Sequence, residues 1–271
     1  MTPPSAGLHR VLITGAAGNL GSKLRRHLDS KPGYQLALLD KNPAHDAAIS
    51  DADLSTCAKS WTDRFSGVDT VVHLAADASQ WAAWSSLAPN NIDATINVFE
   101  AAVEHRVRRV VFASSVHAML GYEDESVERI SAELETYPTS FYGATKVFGE
   151  RLGRSYADRH GLSVICLRLG WAPRVNDAHV VRGHPAQVRW LSDRDFCGYA
   201  EHAIEADDKL RFAIVTATSN VEGSKWDLTD GIRALGYVPQ DRLSPAPVSI
   251  THALRRRLYD YARRIRRTLR G

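Results

Sequence analysis

The stretch "VLITGAAGNLG", Val11 to Gly21, joins a short apolar run to a helical pattern through Gly15, Gly18 and Gly21. "RVLITG" (10–15) predicts a buried strand, and "NLGSKLRRHLDS" (19–30) a helix with Leu20, Leu24 and Leu28 on one side. Glycines at such a junction permit a tight turn and let the backbone approach a pyrophosphate, which the helix N-terminus then stabilises. A glycine triplet alone is weak, because turns use the same residues. The context here is more specific: a strand before, a helix after, and an acid, Asp40, at the end of the next apolar run, "YQLALLD" (34–40). Asp40 is expected to accept hydrogen bonds from ribose hydroxyls and to repel a 2′-phosphate, favouring NAD over NADP. The plainer reading of Asp40 is a turn or helix cap. Lys41 follows and softens the preference, and no arginine takes the usual phosphate-reading place.

Outward from this unit the alternation continues. "DTVVHLAA" (69–76), "RRVVFASS" (108–115), "LSVICLRLG" (162–170) and "FAIVTATS" (212–219) predict strands. "NNIDATINVFEAAVEH" (90–105), the segment around residue 142, and "SDRDFCGYAEHAIEA" (192–206) predict helices. Near-continuous apolar strands separated by helices predict an α/β, Rossmann-type doubly wound parallel sheet. The expected organisation is an NAD-binding domain over 8–171, a small substrate subdomain over 172–250 interleaved with the sheet edge, and a basic amphipathic tail over 251–271.

The 271 residues, 44% hydrophobic and 24% charged, suit one or two compact domains rather than a disordered chain. Three separated cysteines, Cys57, Cys166 and Cys197, suggest neither a disulfide framework nor a CxxC metal site, and a reducing compartment follows. "MTPPSAGLHR" lacks the apolar run of a signal peptide, so a cytoplasmic location is expected. The net charge of +3 hides a tail with eight arginines against one acid, Asp260; the rest is mildly acidic, which argues against nucleic-acid binding. Within the tail Leu254, Leu258, Tyr261, Ile265 and Leu269 form one helical stripe, suited to its own body, a partner subunit or an anionic membrane surface.

"SFYGATKVFGERLGR" (140–154) places Tyr142 and Lys146 one helical turn apart, so an ammonium can sit beside a phenol. In isolation that is as often a solvated pair as an acid-base device. Together with the glycine loop, however, "YGATK" resembles the extended short-chain dehydrogenase/reductase superfamily of NAD-dependent epimerases and dehydratases, from residue 10 to about 243. The resemblance also rests on Asp53-Leu54, on "HLAA" (73–76) with Leu74, Ala75 and Ala76, on Asn91 at the head of a helix, and on Ser114-Ser115 closing a strand. It implies a catalytic trio of Ser115, Tyr142 and Lys146. It implies cofactor contacts from Gly15, Gly18, Asn19, Leu20, Gly21, Asp40, Asp53, Leu54, Leu74, Ala75, Ala76, Asn91, Tyr142 and Lys146. A free phenol near pKa 10 is a poor base at neutral pH; beside Lys146 and an oxidised nicotinamide its pKa is expected to fall toward the working range. Ser115 would hold the substrate oxygen. No metal is implied, and a homodimer is plausible from the family's use of helix pairs as interfaces.

Within the superfamily the sequence is most similar to the uronate dehydrogenase-like group, through "FASSVH" (112–117), "YGATKVFGE" (142–150) and "WLSDRDF" (190–196). The group oxidises the anomeric carbon of a hexuronic acid to an aldonolactone with NAD. The resemblance places Ser79, Ser115, His117, Trp171, Arg174 and Arg182 at the sugar, with Arg174, Arg182 or Arg189 as the carboxylate clamp. Two departures point to a different or less polar substrate: Val116 stands where the group has asparagine, and Trp171 where it has serine. Trp81, Trp84, Trp171, Trp190 and Trp226 are either pocket or core residues. The expected reaction is NAD-dependent oxidation of a sugar-like hydroxyl. One alternative is a nucleotide-sugar epimerase with tightly bound NAD, which usually needs a longer C-terminal domain. A dehydratase lacks its Asp-Glu pair, since Val116-His117 follows Ser115. The remote alternative is a non-catalytic NAD-binding regulator.

Overall fold

The structure, a computed structural model, describes residues 8–43, 45–177 and 181–248. Seven parallel strands form one sheet: β1 (His9–Thr14), β2 (Tyr34–Asp40), β3 (Ile49–Asp51), β4 (Thr70–His73), β5 (Arg109–Ser115), β6 (Ser163–Leu169) and β7 (Phe212–Ala217). Their spatial order is β3-β2-β1-β4-β5-β6-β7. The order reverses between β1 and β4, and that reversal opens a crevice at the carboxyl ends of the strands. In β1 the pleat alternates two apolar faces: Val11 and Ile13 join one core, and Leu12 the other. The first core takes Leu24 and Leu28 from α1 (Asn19–Asp29) and Phe196, Ala200 and Ile204 from the helix Asp193–Glu205. The second takes Trp61 from α2 (Lys59–Thr62) and Val98, Phe99 and Ala102 from α4 (Ala94–Glu104). Every residue of β5 and β6 is buried, which is why the middles of those strands read as near-continuous apolar runs.

The 20-residue helix α5 (Phe141–His160) positions the site. Ser140 caps its start, the hydroxyl accepting from the Gly143 N–H at 3.1 Å, and Gly161 ends it in the left-handed region at φ 67°. A Cβ at Gly149 would lie 2.2 Å from the Phe112 ring, and one at Gly143 2.4 Å from the His117 carbonyl oxygen. The missing side chains therefore let α5 lie against β5 and the turn that follows it.

Beyond β6, the chain contributes α6 (Asp193–Glu205), β7, α7 (Thr229–Leu235) and a two-stranded parallel pair, β8 (Asn220–Val221) with β9 (Arg242–Leu243). Asp195, fully buried, ties this part together. Its carboxylate accepts from the Ser219 hydroxyl (2.6 Å), the Tyr237 hydroxyl (2.8 Å) and the Gln240 (2.7 Å) and Asp241 (3.2 Å) N–H groups. A buried carboxylate is tolerable because its lone pairs are met.

The expected strands appear within a residue or two, except that β4, expected over 69–76, is confined to Thr70–His73. The helix expected over 90–105 is a π-helical turn, Ala88–Asp93, feeding α4, with α3 (Trp84–Leu87) before it. The tail over 251–271 lies outside the described residues. The cysteines are free, and among the described residues no helix is long and apolar enough to cross a membrane.

Candidate active site

Two adjoining cavities occupy the crevice. The first, about 340 Å³, is lined by the glycine loop, Asp40, Asn42, Asp53, Leu54, Ser55, Ala75 and Asn90. The second, about 900 Å³, runs past Ser115, His117, Tyr142 and Lys146 to Trp171, His184 and Arg189. Gly15, Gly18, Leu74, Ala76 and Arg174 line both, so one cleft passes from the loop to Ser115, Tyr142 and Lys146.

The first cavity fits a dinucleotide. Gly15 turns at φ 71°, and a Cβ there would stand 2.7 Å from the Ala75 nitrogen; one at Gly21 would meet the Gly15 carbonyl oxygen at 2.1 Å. Only glycine leaves that cradle open. No side chain caps the start of α1 and no acid occupies its first turn, so the positive end of the helix dipole faces the cleft. Asp40 accepts from the Ala17 N–H (3.0 Å) and the Asn42 N–H (2.9 Å), one on each oxygen, with lone pairs left for a diol. The Lys41 ammonium donates to Asn90 at 2.6 Å. Asp53 accepts from Ser55, and these hydrogen bonds hold its carboxyl below the usual range.

In the second cavity the start of α5 meets the end of β5. Tyr142 is buried near the Ser115 hydroxyl, which favours the phenolate. Burial pushes the phenol up to about 12, against the lowering effect of that hydroxyl. Lys146 Nζ lies 5.6 Å from the centre of the Tyr142 ring and 5.2 Å from that of Phe112. Burial brings Lys146 down to about 8, while the Glu150 carboxylate one turn along the helix opposes the fall. In the protein alone, desolvation of the phenolate outweighs the Ser115 hydroxyl; the expected fall of the phenol pKa belongs to the complex with oxidised NAD. His117 stands edge-on to Tyr142, ring centres 5.5 Å apart, and is held neutral at about 4 by burial and by the Arg189 cation. Its Nδ1 is buried without a partner.

Behind Lys146 is an ionic group the sequence reading passed over. Glu150 and Arg168 are buried and joined by two bonds of 2.8 and 2.9 Å, and the Ser114 hydroxyl donates to Glu150 at 2.6 Å. The signal was present, since Glu150 lies four residues after Lys146 on one helix face.

Three expected site residues do not line the cleft. Asn91 is buried and fully engaged: it donates to the Asp77 carbonyl oxygen and the Thr145 hydroxyl and accepts from the Asp77 N–H. It braces the loop after β4, and its neighbour Asn90 reaches the cavity instead. Ser79 builds the turn at 77–81, accepting from the Trp81 N–H. Arg182 is exposed outside the cleft. Of the tryptophans, Trp81 and Trp171 line the cleft, Trp190 and Trp226 are buried in small clusters, and Trp84 is exposed. Gln80, Leu120, Glu123, Asp124, Thr139, His184 and Arg189 also line the cleft. Arg189 had been one of three candidates for the clamp.

Comparison with known proteins agrees with this geometry. Residues 11–172 match the family described as the NAD dependent epimerase/dehydratase family. The chain is 36% identical to the L-arabinose 1-dehydrogenase (NAD(P)(+)) of Haloferax volcanii, over 86% of this chain and 96% of that one. It is 35% identical to the NAD-dependent glucose-6-phosphate dehydrogenase of the same organism, over 85% and 93%. Among solved structures it is similar to uronate dehydrogenase from Agrobacterium tumefaciens, with a TM-score of 0.73 at 28% identity, covering 93% and 89% of the two chains. The chain belongs to the NAD-dependent epimerase/dehydratase family and is an NAD-dependent dehydrogenase.

Proposed function

We propose that the protein oxidises the anomeric hydroxyl of a cyclic aldose-type sugar to a lactone, with Ser115, Tyr142 and Lys146 as its catalytic residues. The observation that carries this reading is the buried Tyr142, with Ser115 and Lys146 beside it, lining the cavity that continues from the glycine loop. Gly15, Gly18, Asn19, Leu20 and Gly21 would hold the pyrophosphate and Asp40 the adenosine ribose, with Asp53, Leu54 and Ala75 around the adenine. Leu74 and Ala76 would line the middle of the dinucleotide. When bound, oxidised NAD supplies the hydride acceptor and a positive ring that favours the phenolate. The Ser115 hydroxyl orients the substrate oxygen, and Tyr142 Oη takes its proton as the C–H pair leaves and the C=O bond forms. Lys146, as an ammonium, stabilises the charge on Tyr142 Oη.

The rival epimerase chemistry returns its cofactor unchanged, whereas the relatives matched along most of this chain are dehydrogenases. Residues 172–248 would cover the sugar, the enzyme would work in the cytoplasm, and α4 and α5 would offer the surface for a homodimer. The test is NADH formation from NAD across a panel of aldoses. Steady production with at least one sugar supports the reading; tight NAD binding with no turnover of any sugar overturns it.

A further inference from the structure

Two arginines line the second cavity, Arg174 and Arg189, and Arg189 is already paired. Its Nη1 lies 2.5 Å from Glu123 Oε2, with the two side chains 14% and 21% exposed. The other Glu123 oxygen accepts from the indole N–H of Trp226 at 3.3 Å, and Trp226 is itself buried. Glu123 is therefore fixed from two sides, and Asp124 follows it in the wall. The remaining cations of the lining are Lys146, beside Tyr142, and Arg174, on the stretch shared with the glycine-loop cavity. Beside Trp171 and His184, therefore, the guanidinium lining the cavity is Arg189, and it is bound to a carboxylate.

An anionic sugar entering this end would have to displace Glu123 from Arg189, leaving a half-buried carboxylate facing a like charge. Like charges brought together in a partly dry site repel strongly. A neutral sugar meets no such conflict. The Arg189–Glu123 pair presents guanidinium N–H donors beside a carboxylate acceptor, so one sugar hydroxyl can accept from Arg189 while its neighbour donates to Glu123. Arg189, one of three arginines expected as the uronate clamp, is thus converted into half of a neutral-diol reader.

From this pairing we infer that Glu123 is a specificity-determining residue, which neutralises Arg189 and directs the enzyme to uncharged aldoses over uronates and sugar phosphates. The inference rests on the sugar-dehydrogenase reading above. It is tested by kcat/KM for L-arabinose, D-xylose, D-galactose and D-glucose against D-galacturonate, D-glucuronate and glucose 6-phosphate, in the unaltered enzyme and in Glu123→Gln. The unaltered enzyme is expected to favour its best neutral sugar over its best anionic one by about tenfold or more, roughly 1.4 kcal/mol. Glu123→Gln should move that ratio by at least as much toward the anions, through KM. An unaltered enzyme that prefers the anionic sugars overturns the inference while leaving the dehydrogenase reading intact, and needs no variant to fold. A soluble Glu123→Gln enzyme with an unchanged ratio overturns it as well. Failure of every sugar in the panel removes the parent reading instead.

Discussion

Replacing Glu150 with glutamine should disturb stability and proton chemistry together. Glu150 is 0% and Arg168 1% exposed, and their two charge-assisted bonds, with the Ser114 hydroxyl bond, meet the buried carboxylate. Breaking one side of such a pair typically costs about 3–5 kcal/mol, because the remaining charge stays buried. Glutamine keeps one acceptor oxygen, which places the expected loss near the lower end, about 3 kcal/mol. Relief elsewhere is limited, since Arg168 Nη1 already lacks a partner. The second effect reaches Lys146. The Glu150 carboxylate raises the Lys146 pKa, so its removal should lower the pKa further from about 8. Less ammonium at a given pH means less support for the Tyr142 phenolate, and the alkaline limb of the kcat/KM profile should move to lower pH. Urea denaturation gives the first quantity and the pH–rate profile the second. A loss below about 1 kcal/mol with an unmoved limb would refute the reasoning. Combining Glu150→Leu with Arg168→Met should recover much of the stability, since apolar replacement of both partners is often neutral.

Other outcomes follow from the same structure. Asp40→Ala removes the proposed ribose acceptor and the bond to the Ala17 N–H; KM for NAD should rise about tenfold or more, the worth of a charged hydrogen bond, and discrimination against NADP should shrink. Burial, with the Lys146 cation, brings His73 to about 3, and burial, with Arg189, brings His117 to about 4, both below the unfolded value near 6.5. Between these values the unfolded chain binds protons that the folded chain refuses. Stability should therefore be full above about pH 6.5 and fall with acidification at up to about 1.4 kcal/mol per pH unit for each histidine. Denaturation midpoints measured from pH 7 to pH 5 check the sign, and a rise in stability toward pH 5 would contradict it.

Much of the architecture was legible because parallel strands buried on both faces leave apolar runs, and because the glycine loop places a strand and a helix at fixed offsets. The three-residue β3 and four-residue α2 and α3 were missed, being too short to show a period. Asn91 illustrates how motif position misleads: the residue lies where the family pattern puts it, but a π-helical turn leaves it facing Asp77 and Thr145 rather than the cleft. The Arg189–Glu123 pair was beyond reach for another reason. It joins residues 66 apart, one from a 3-10 turn at Leu120–Asp124 and one from another at Pro185–Arg189, and neither segment has a period that fixes side-chain direction. Tyr142 shows the limit of reading charge from spacing, because one turn of helix brings Lys146 near the phenol but says nothing of how dry the site is.

The most direct measurement is NADH formation by Tyr142→Phe, on the sugar that the unaltered enzyme oxidises best, alongside NAD binding by calorimetry. The expected result is NAD affinity close to that of the unaltered enzyme with kcat reduced about 10²–10⁴-fold, the usual worth of a positioned proton acceptor. A kcat within a few-fold of the unaltered enzyme, at equal NAD affinity, would contradict the assignment of the substrate's proton to the Tyr142 oxygen.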